Sequence, residues 1–588
     1  MSPTRFIRTS LTRLIPLLVM AALAPIASAQ VTYTKANNTD ALNLGSSWTS
    51  NTTAPTSVDT ALWDNSVTGV NLAATTLGGN LTWAGIVNTN TTGTLQIGPS
   101  TAGGGAYTLL LGSGGINASS SNQLLNLYAP ITLSANQTWS FGTSASNSSI
   151  GFNAVTNFDT AGFTLTLNNG SVMLRGSLIG AGGLTKIGGG QLGLSGNNTY
   201  AGKTTVDGGT ISLTGTMSSL SEITSTNNGV FSLDRTGTYS FDNPISGNAK
   251  LFKGAATGNA TLTGANTYTN VTTIAAGTLS VSSLNSVGTG HVTSSNLGAP
   301  TTVAGGTIEI GWSTTSGQLT YTGTGETTDR VVRFGSISSS IGTGTGGATL
   351  DQSGSNLLKF TSNFANPGFA GKDERKTLTL QGSTAGTGEI SGTITDSVAG
   401  NAGQLATSVT KAGTGTWTLS GANTYTGATT VSAGTLLISG TLAGTSGVTV
   451  SGGTLQLGAA ERINNSATLT LSGGALNVGG FSETLGALAL TNATASSLDF
   501  ASGASILLFS GITSDTGTLA ITNWTSGSDS LRFTSNANLL ASSFTVNGGA
   551  ATILNQGGYF EVVPEPATWA LLAFSLTTVM VLRRRRMS

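Results

Sequence analysis

Two pairs of carboxylates in the middle of the chain have the residue types for hydrolytic chemistry. Asp234 and Asp242 are one pair; Glu326 and Asp329, beside Arg330 and Arg333, are the other. Cleaving a glycosidic bond takes two carboxyl groups facing it roughly 5–10 Å apart, one as acid and one as base or nucleophile. Either pair meets that demand only if the intervening backbone turns sharply; otherwise they are turn residues or surface ion pairs. The single histidine, His291, stands in Gly-Thr-Gly-His-Val with no local partner for a triad or a zinc site, and reads as a turn residue. Gly342–Gly347 has the glycines of a phosphate loop, but neither a lysine nor a helical pattern follows, so nucleotide binding has no support. Cysteine is absent, which removes disulfides and thiolate metal sites. The regular aspartates of calcium-binding nonapeptides are missing too. The sequence therefore assigns no catalytic, cofactor-binding or metal-binding residue.

The elements that would position such groups follow from composition. Charged residues make up 8% of the 588-residue chain, against about 25% in ordinary soluble domains. Glycine contributes 84 residues, yet 38% of the chain is hydrophobic and recurs in short alternating runs. That pattern predicts many short strands separated by turns. The formal charge is zero, but seven arginines lie at the two termini, so the body keeps 16 basic residues against 23 acidic ones. No basic patch with interleaved aromatics exists, and nucleic acid is excluded as a partner. A surface rich in hydroxyls and amides suits hydrated polysaccharide or self-association.

Three internal repeats organise the body, at 184–215, 251–281 and 409–440. Each opens near a lysine (Lys186, Lys253, Lys411) and reaches Asn-Thr-Tyr, ending at Tyr200, Tyr268 and Tyr425. A β-branched residue follows at Val206, Ile274 and Val431, then Gly209-Thr210, Gly277-Thr278 and Gly434-Thr435. Ile179, Ile245 and Ile390, each closely followed by glycine, precede the copies. Threonine and β-branched residues at period two favour a pleated, half-buried surface, and the glycines supply tight corners. One unit cannot bury its apolar face alone, whereas stacked units can. Asparagine and threonine at matching positions are expected to form hydrogen-bonded ladders, and the tyrosines to stack only if copies are adjacent. Lysine spacings of 67 and 158 residues fit about three and seven coils of roughly 22 residues.

These segments resemble the autotransporter-associated β-strand repeat of passenger-type proteins; Gly-x-Asn-Thr-Tyr and the Gly-Thr-Leu close (Gly-Thr-Ile in the first copy) carry the match. The resemblance implies an all-β body, a right-handed parallel β-helix. With coils about 4.8 Å apart it would form a rod on the order of 110 Å. Residues 30–99, with Trp48, Trp63 and Trp83, are expected to cap its start; 100–529 form the coils, and 530–560 the closing cap. The charged run Lys372–Lys376 reads as a solvated loop. The strands after the repeats are too short for the membrane barrel with which autotransporters finish.

The termini address the chain to export. Residues 1–29 carry Arg5, Arg8 and Arg13, an apolar run from Leu14 to Leu23, and a small-residue cleavage site at Ala27-Ser28-Ala29. The stretch is short and broken by Pro16 and Pro25, unlike a membrane span. At the other end, 561–588, a linker over Glu561–Pro566 leads to an apolar helix over 567–582 and then Arg583, Arg584, Arg585 and Arg586. Sixteen residues span roughly 24 Å as a helix. That is slightly short of a roughly 30 Å hydrocarbon core, a gap that local bilayer thinning and snorkelling arginines close. The arginines hold that end in the cytoplasm and place the body outside it. Pro564, Glu565 and Pro566 before the helix make the segment resemble the PEP-CTERM sorting signal of Gram-negative bacteria. The resemblance implies an exosortase-type processing enzyme as partner and a membrane-bound intermediate before delivery to the surface, outer membrane or matrix. It further implies an association with exopolysaccharide and biofilm. The expected function is a non-catalytic structural or adhesive protein without cofactors. The alternatives are a polysaccharide-active lyase or glycosidase on the same scaffold, and an unprocessed anchor kept in the inner membrane.

Overall fold

Alternation of apolar and hydroxyl side chains decides the architecture. In segments such as Leu165–Asn168, Thr204–Val206 and Thr468–Leu471, every second side chain is buried and those between are partly solvated. That is what a strand with one face on a core requires. A computed structural model describes residues 29–49, 52–73, 75–98, 107–142, 150–152, 157–312, 314–334, 346–365, 375–397, 406–491 and 494–565. Among them the fold is all-β, apart from one helical turn at Val70–Ala73 and two short 3-10 turns.

Most strands form three long sheets, parallel throughout except in a closing hairpin. The first runs from Thr32–Thr34 to Ile245–Gly247, the second from Leu95–Ile97 to Val332–Phe334, and the third from Gly237–Phe241 to Phe560–Pro564. Register repeats about once every 20 residues: Leu184 pairs Thr204, which pairs Ile223; Val409 pairs Thr429, which pairs Val448. Inward columns of Leu, Ile, Val and Phe fill one continuous core, as in Leu192–Ile211–Phe231–Leu251. This order and register are consistent with a β-solenoid.

The chain visits three faces in fixed order, and each repeat starts one face later than the copy before it. Lys186 lies in a strand of the first sheet and is followed by Gln191–Leu194 in the second. Lys253 lies in the second sheet and is followed by Gly258–Leu262 in the third. Lys411 lies in the third sheet, and Thr416–Leu419 then continues the face that restarts at Glu326–Thr328. The lysine spacings are thus not whole numbers of turns, contrary to the expected three and seven coils. Extra full strands, such as Gly237–Phe241 between the first two copies, advance the phase.

At the start, Trp63 and Trp83 project from the strands Thr60–Trp63 and Leu81–Asn88 and pack with Trp48 edge to face or tilted, with centroids 5.7–6.1 Å apart. At the far end the hairpin of Gly549–Asn555 and Phe560–Pro564 runs antiparallel to the last rungs, Phe544–Val546 and Ser530–Phe533, and covers both edges. The segment expected as a linker from Glu561 is therefore strand as far as Pro564. Proline fits there because beyond Val562 the strand has a neighbour on one side only. Among the described residues no helix is long and apolar enough to cross a membrane. The expected span 567–582 lies outside them.

Candidate functional site

The most regular chemistry is inside the coil corners. Lys186, Lys253 and Lys411 occupy core positions and are fully buried; in register, Lys411 stands between Leu380 and Val431. An ammonium in an apolar column needs acceptors, and the corner carbonyls provide them. Lys186 Nζ donates to Ile187, Gly188 and Gly189 at 2.6–3.2 Å, and Lys411 Nζ to Ala412, Gly413 and Ala433 at 2.6–3.1 Å. Lys253 Nζ donates to Ala255 at 2.6 Å. Lys35, outside the repeats, does the same with Ala36 and Asn38. Burial pushes Lys35, Lys186 and Lys411 down to about 8 and lowers Lys253 as well. Gly434 has φ +60, and a Cβ there would lie 2.6 Å from Lys411 Nζ, which explains the glycine before threonine.

Asn-Thr-Tyr closes the third face of each copy. Asn198, Asn266 and Asn423 accept the backbone N–H of Leu178, Ile245 and Ile394 on the preceding coil at 2.8–3.0 Å. Tyr200, Tyr268 and Tyr425 are buried, and each hydroxyl shares a hydrogen bond of 2.6–2.7 Å with Thr204, Thr272 or Thr429. Burial raises Tyr200 and Tyr268 to about 12 and Tyr425 further. A ladder of the expected kind appears on the outside: Asn248 donates to Asn228, and Asn270 to both.

Three of the four carboxylates expected as catalytic candidates hold polar groups of the chain itself. Asp234 and Asp242 sit at opposite sides of the strand Gly237–Phe241, which spans roughly 16 Å. Asp234 accepts the Ser212 hydroxyl, and Asp242 is exposed. Glu326 accepts the N–H groups of Leu284 and Asn285 at 2.7–3.1 Å, and Asp329 those of Val287 and Gly288 at 2.6 and 2.8 Å. Between them Arg330 is fully buried and donates to the carbonyls of Gly306, Leu284 and Leu297 at 2.7–2.9 Å. These three side chains clamp an excursion, residues 282–307, that makes the turn from Thr272 to Ile308 36 residues long. His291 lies exposed in that excursion, its Nδ1 3.0 Å from the Ser286 carbonyl.

Other expected positions fall elsewhere. Lys376, expected in a solvated loop, is buried as the first residue of Lys376–Gly382, because strand alternation points it inward; Arg375 is exposed. Residues 342–345 and 372–374 lie outside the described residues, as do Ala27, Pro566 and Arg583–Arg586. Ala29 is exposed. Pro564 pairs Ala551, and Glu565 N–H donates to Ala550 at 2.9 Å, so the front of the Pro-Glu-Pro motif is stitched into the closing hairpin. Among the described residues no group of three or more His, Asp or Glu is placed to hold a metal ion.

The surface site missed by motif reading is a groove of about 490 Å³ on the outer face of the second sheet. Register builds it from two outward columns. One is Gln191–Thr210–Val230–Lys250; the other is Ser232–Phe252–Thr273–Glu309. Trp312, just after Gly311 at φ +86, leans on Phe252 edge to face with centroids 5.9 Å apart. Glu309 accepts from Thr273 at 3.0 Å and pairs with Arg333 at 3.4 Å. Asp234 also lines the groove, three rungs from Glu309, which separates their backbones by roughly 14 Å. One signal in the sequence marks the site: the outward residue before the lysine is Thr185 and Thr410 in two copies but Phe252 in the other.

Comparison with known proteins agrees with this repeat geometry. The passenger-associated-transport-repeat model matches residues 184–213, 257–281 and 409–438, the three copies described above. The chain is similar to the adhesin BmaC autotransporter of Brucella suis biovar 1 (strain 1330), 29% identical over 290 residues. The match takes in 44% of this chain, which spans 8% of that relative's length. No solved structure matches.

Proposed function

We propose that the protein is an exported, non-catalytic adhesive rod, displayed at a bacterial surface or in its matrix. Its coil is right-handed, following the crossover rule for parallel strands. One observation carries the reading: Glu326 and Asp329 are occupied in holding backbone N–H groups and Asp234 in accepting the Ser212 hydroxyl, while a groove on the outer face of the second sheet is left open to solvent. The passenger-type repeats and the similarity to an adhesin support it. Delivery rests on the sequence of the termini: a cleaved leader ending at Ala29, and a tail in which Pro564-Glu565-Pro566, an apolar helix and Arg583–Arg586 direct processing by an exosortase-type enzyme.

Weak contacts repeated along the rod would sum to firm attachment. Purified full-length protein is expected to bind the polysaccharide of its own host or to bind itself; absence of both removes the adhesive role. Mass spectrometry of the C-terminus tests delivery separately. Loss of residues beyond the Pro-Glu-Pro motif is expected, and a mature form retaining Arg583–Arg586 would leave an inner-membrane anchor instead.

A further inference from the structure

The groove on the second sheet has the chemistry of a saccharide subsite. We propose that it binds an extended, uncharged hexopyranose chain lying along the rod axis, with one sugar stacked on Trp312 and Phe252; this rests on the adhesive reading above.

Four features converge on that occupant. First, Phe252 and Trp312 are both half-buried and in contact, so their rings are held in place without a ligand. Fixed aromatic rings present apolar faces to the C–H face of a pyranose at little entropic cost. Second, acceptors for sugar hydroxyls stand ready. Asp234 is oriented by Ser212, and Glu309 by Thr273 and Arg333; Ser232 and Thr210 lie between. Third, the charges cancel. Asp234, Glu309 and Lys250 line the groove and Arg333 pairs with Glu309, so an anionic or cationic chain gains nothing from the groove's net field. Fourth, the groove crosses six rungs, from Gln191–Leu194 to Ile308–Ile310, a length of roughly 24 Å. This matches a linear chain better than a single sugar.

A peptide strand is the poorer occupant. Every rung beneath the groove is paired on both sides, since even the end strands continue to Val172–Leu174 and Val332–Phe334. No free backbone edge is left for an added strand.

The test is fluorescence anisotropy of labelled cello-, laminari- and mannohexaose against the full-length protein, with oligogalacturonate as an anionic control. At least one neutral hexaose is expected to bind. Trp312→Ala and Phe252→Ala should each weaken it roughly tenfold, the scale of one lost aromatic contact, and Trp312→Phe much less. Asp242→Asn, outside the groove, should leave binding unchanged. Thermal unfolding of Trp312→Ala at the wild-type midpoint would show that the loss is local. Four results overturn the proposal: no neutral hexaose binding, binding indifferent to Trp312→Ala, preference for oligogalacturonate, or self-association that Trp312→Ala dissolves. If hexaose binding fails while the protein still binds its host's polysaccharide or itself, the adhesive reading stands and only this groove assignment falls. Loss of host and self binding with hexaose binding intact would do the reverse.

Discussion

The repeat corners and the 282–307 excursion solve one problem at two scales. Each must end strands inside a core and still satisfy backbone carbonyls. At Lys411 a flexible ammonium gathers two carbonyls from its own corner and one from the next coil, at Ala433. At Arg330 a planar guanidinium reaches the carbonyls of Gly306, Leu284 and Leu297, tying down both ends of a long loop. Lysine adapts to a tight turn, whereas the rigid fork of arginine bridges segments distant in sequence. The excursion also needs carboxylates, Glu326 and Asp329, for its N–H groups, and the corners do not. A tight corner is closed by its neighbours in the stack. A long excursion has no matching strand in the stack and is held by polar side chains of the following coil, Glu326, Asp329 and Arg330.

The sharpest way to break this comparison is to remove the two cations. Arg330→Leu should cost about 3–5 kcal/mol locally, because it strands three buried carbonyls and leaves two clamping carboxylates unbalanced. Hydrogen exchange over 282–307 should accelerate by on the order of 1,000-fold, while 406–440 stays protected. Lys411→Met should cost only about 1–2 kcal/mol, since losing a buried charge offsets part of the lost bonding. Equal costs would mean that the excursion is no more dependent on its cation than a corner.

A smaller effect sharpens the comparison at the glycines. Gly434 and Gly290 both have positive φ, but a Cβ at Gly434 meets the carbonyls of Gly415 and Gly413 and Lys411 Nζ, all within 2.6 Å, while one at Gly290 meets nothing closer than Ser286 Oγ at 3.7 Å. Gly434→Ala should lose about 2–3 kcal/mol, and Gly290→Ala about 1 kcal/mol, the conformational term alone. Urea midpoints compare them directly, and a reversed order would contradict the crowding of the corner.

Titration acts on buried groups of the same coil. Lys186 and Lys411 titrate near 8 when folded and at 10.5 when unfolded, so between those values the unfolded chain holds more protons. Stability should therefore rise as pH rises through that window. Buried Glu483 accepts the N–H groups of Arg462 and Ile463, and burial lifts it to about 7 from 4.5. Here the folded state holds the extra proton, and stability should fall as pH rises from about 4.5 to about 7. Glu483→Gln should flatten the acidic slope and leave the alkaline one; a slope unchanged by this substitution would assign the titration to another group.

Much of the scaffold was legible because it is written in local pattern. Lysine, Asn-Thr-Tyr and Gly-Thr recur at fixed offsets, and each has a corner role set by a few neighbouring residues. The phase was not legible. Whether Lys253 follows Lys186 by whole turns depends on strands such as Gly237–Phe241, which read like any other alternating segment. The roles of Glu326 and Asp329 were hidden for a related reason: their partners, Leu284–Gly288, lie about 40 residues away and were unknown until the coil was traced. The groove needed the phase as well, because only register shows that Phe252, Thr273 and Glu309 share an outward column. Proline misled at 564, where a strand-breaking residue sits at a one-sided edge.

The one-face advance from copy to copy has a geometric consequence. Three similar segments look outward in three directions, so a loop graft or a point change made at the same offset in each would appear on different sides of the shaft. Adding or deleting a single strand between copies would rotate everything downstream by a third of a turn without unthreading the core. A lineage could in this way re-aim its surface features while keeping the interior intact.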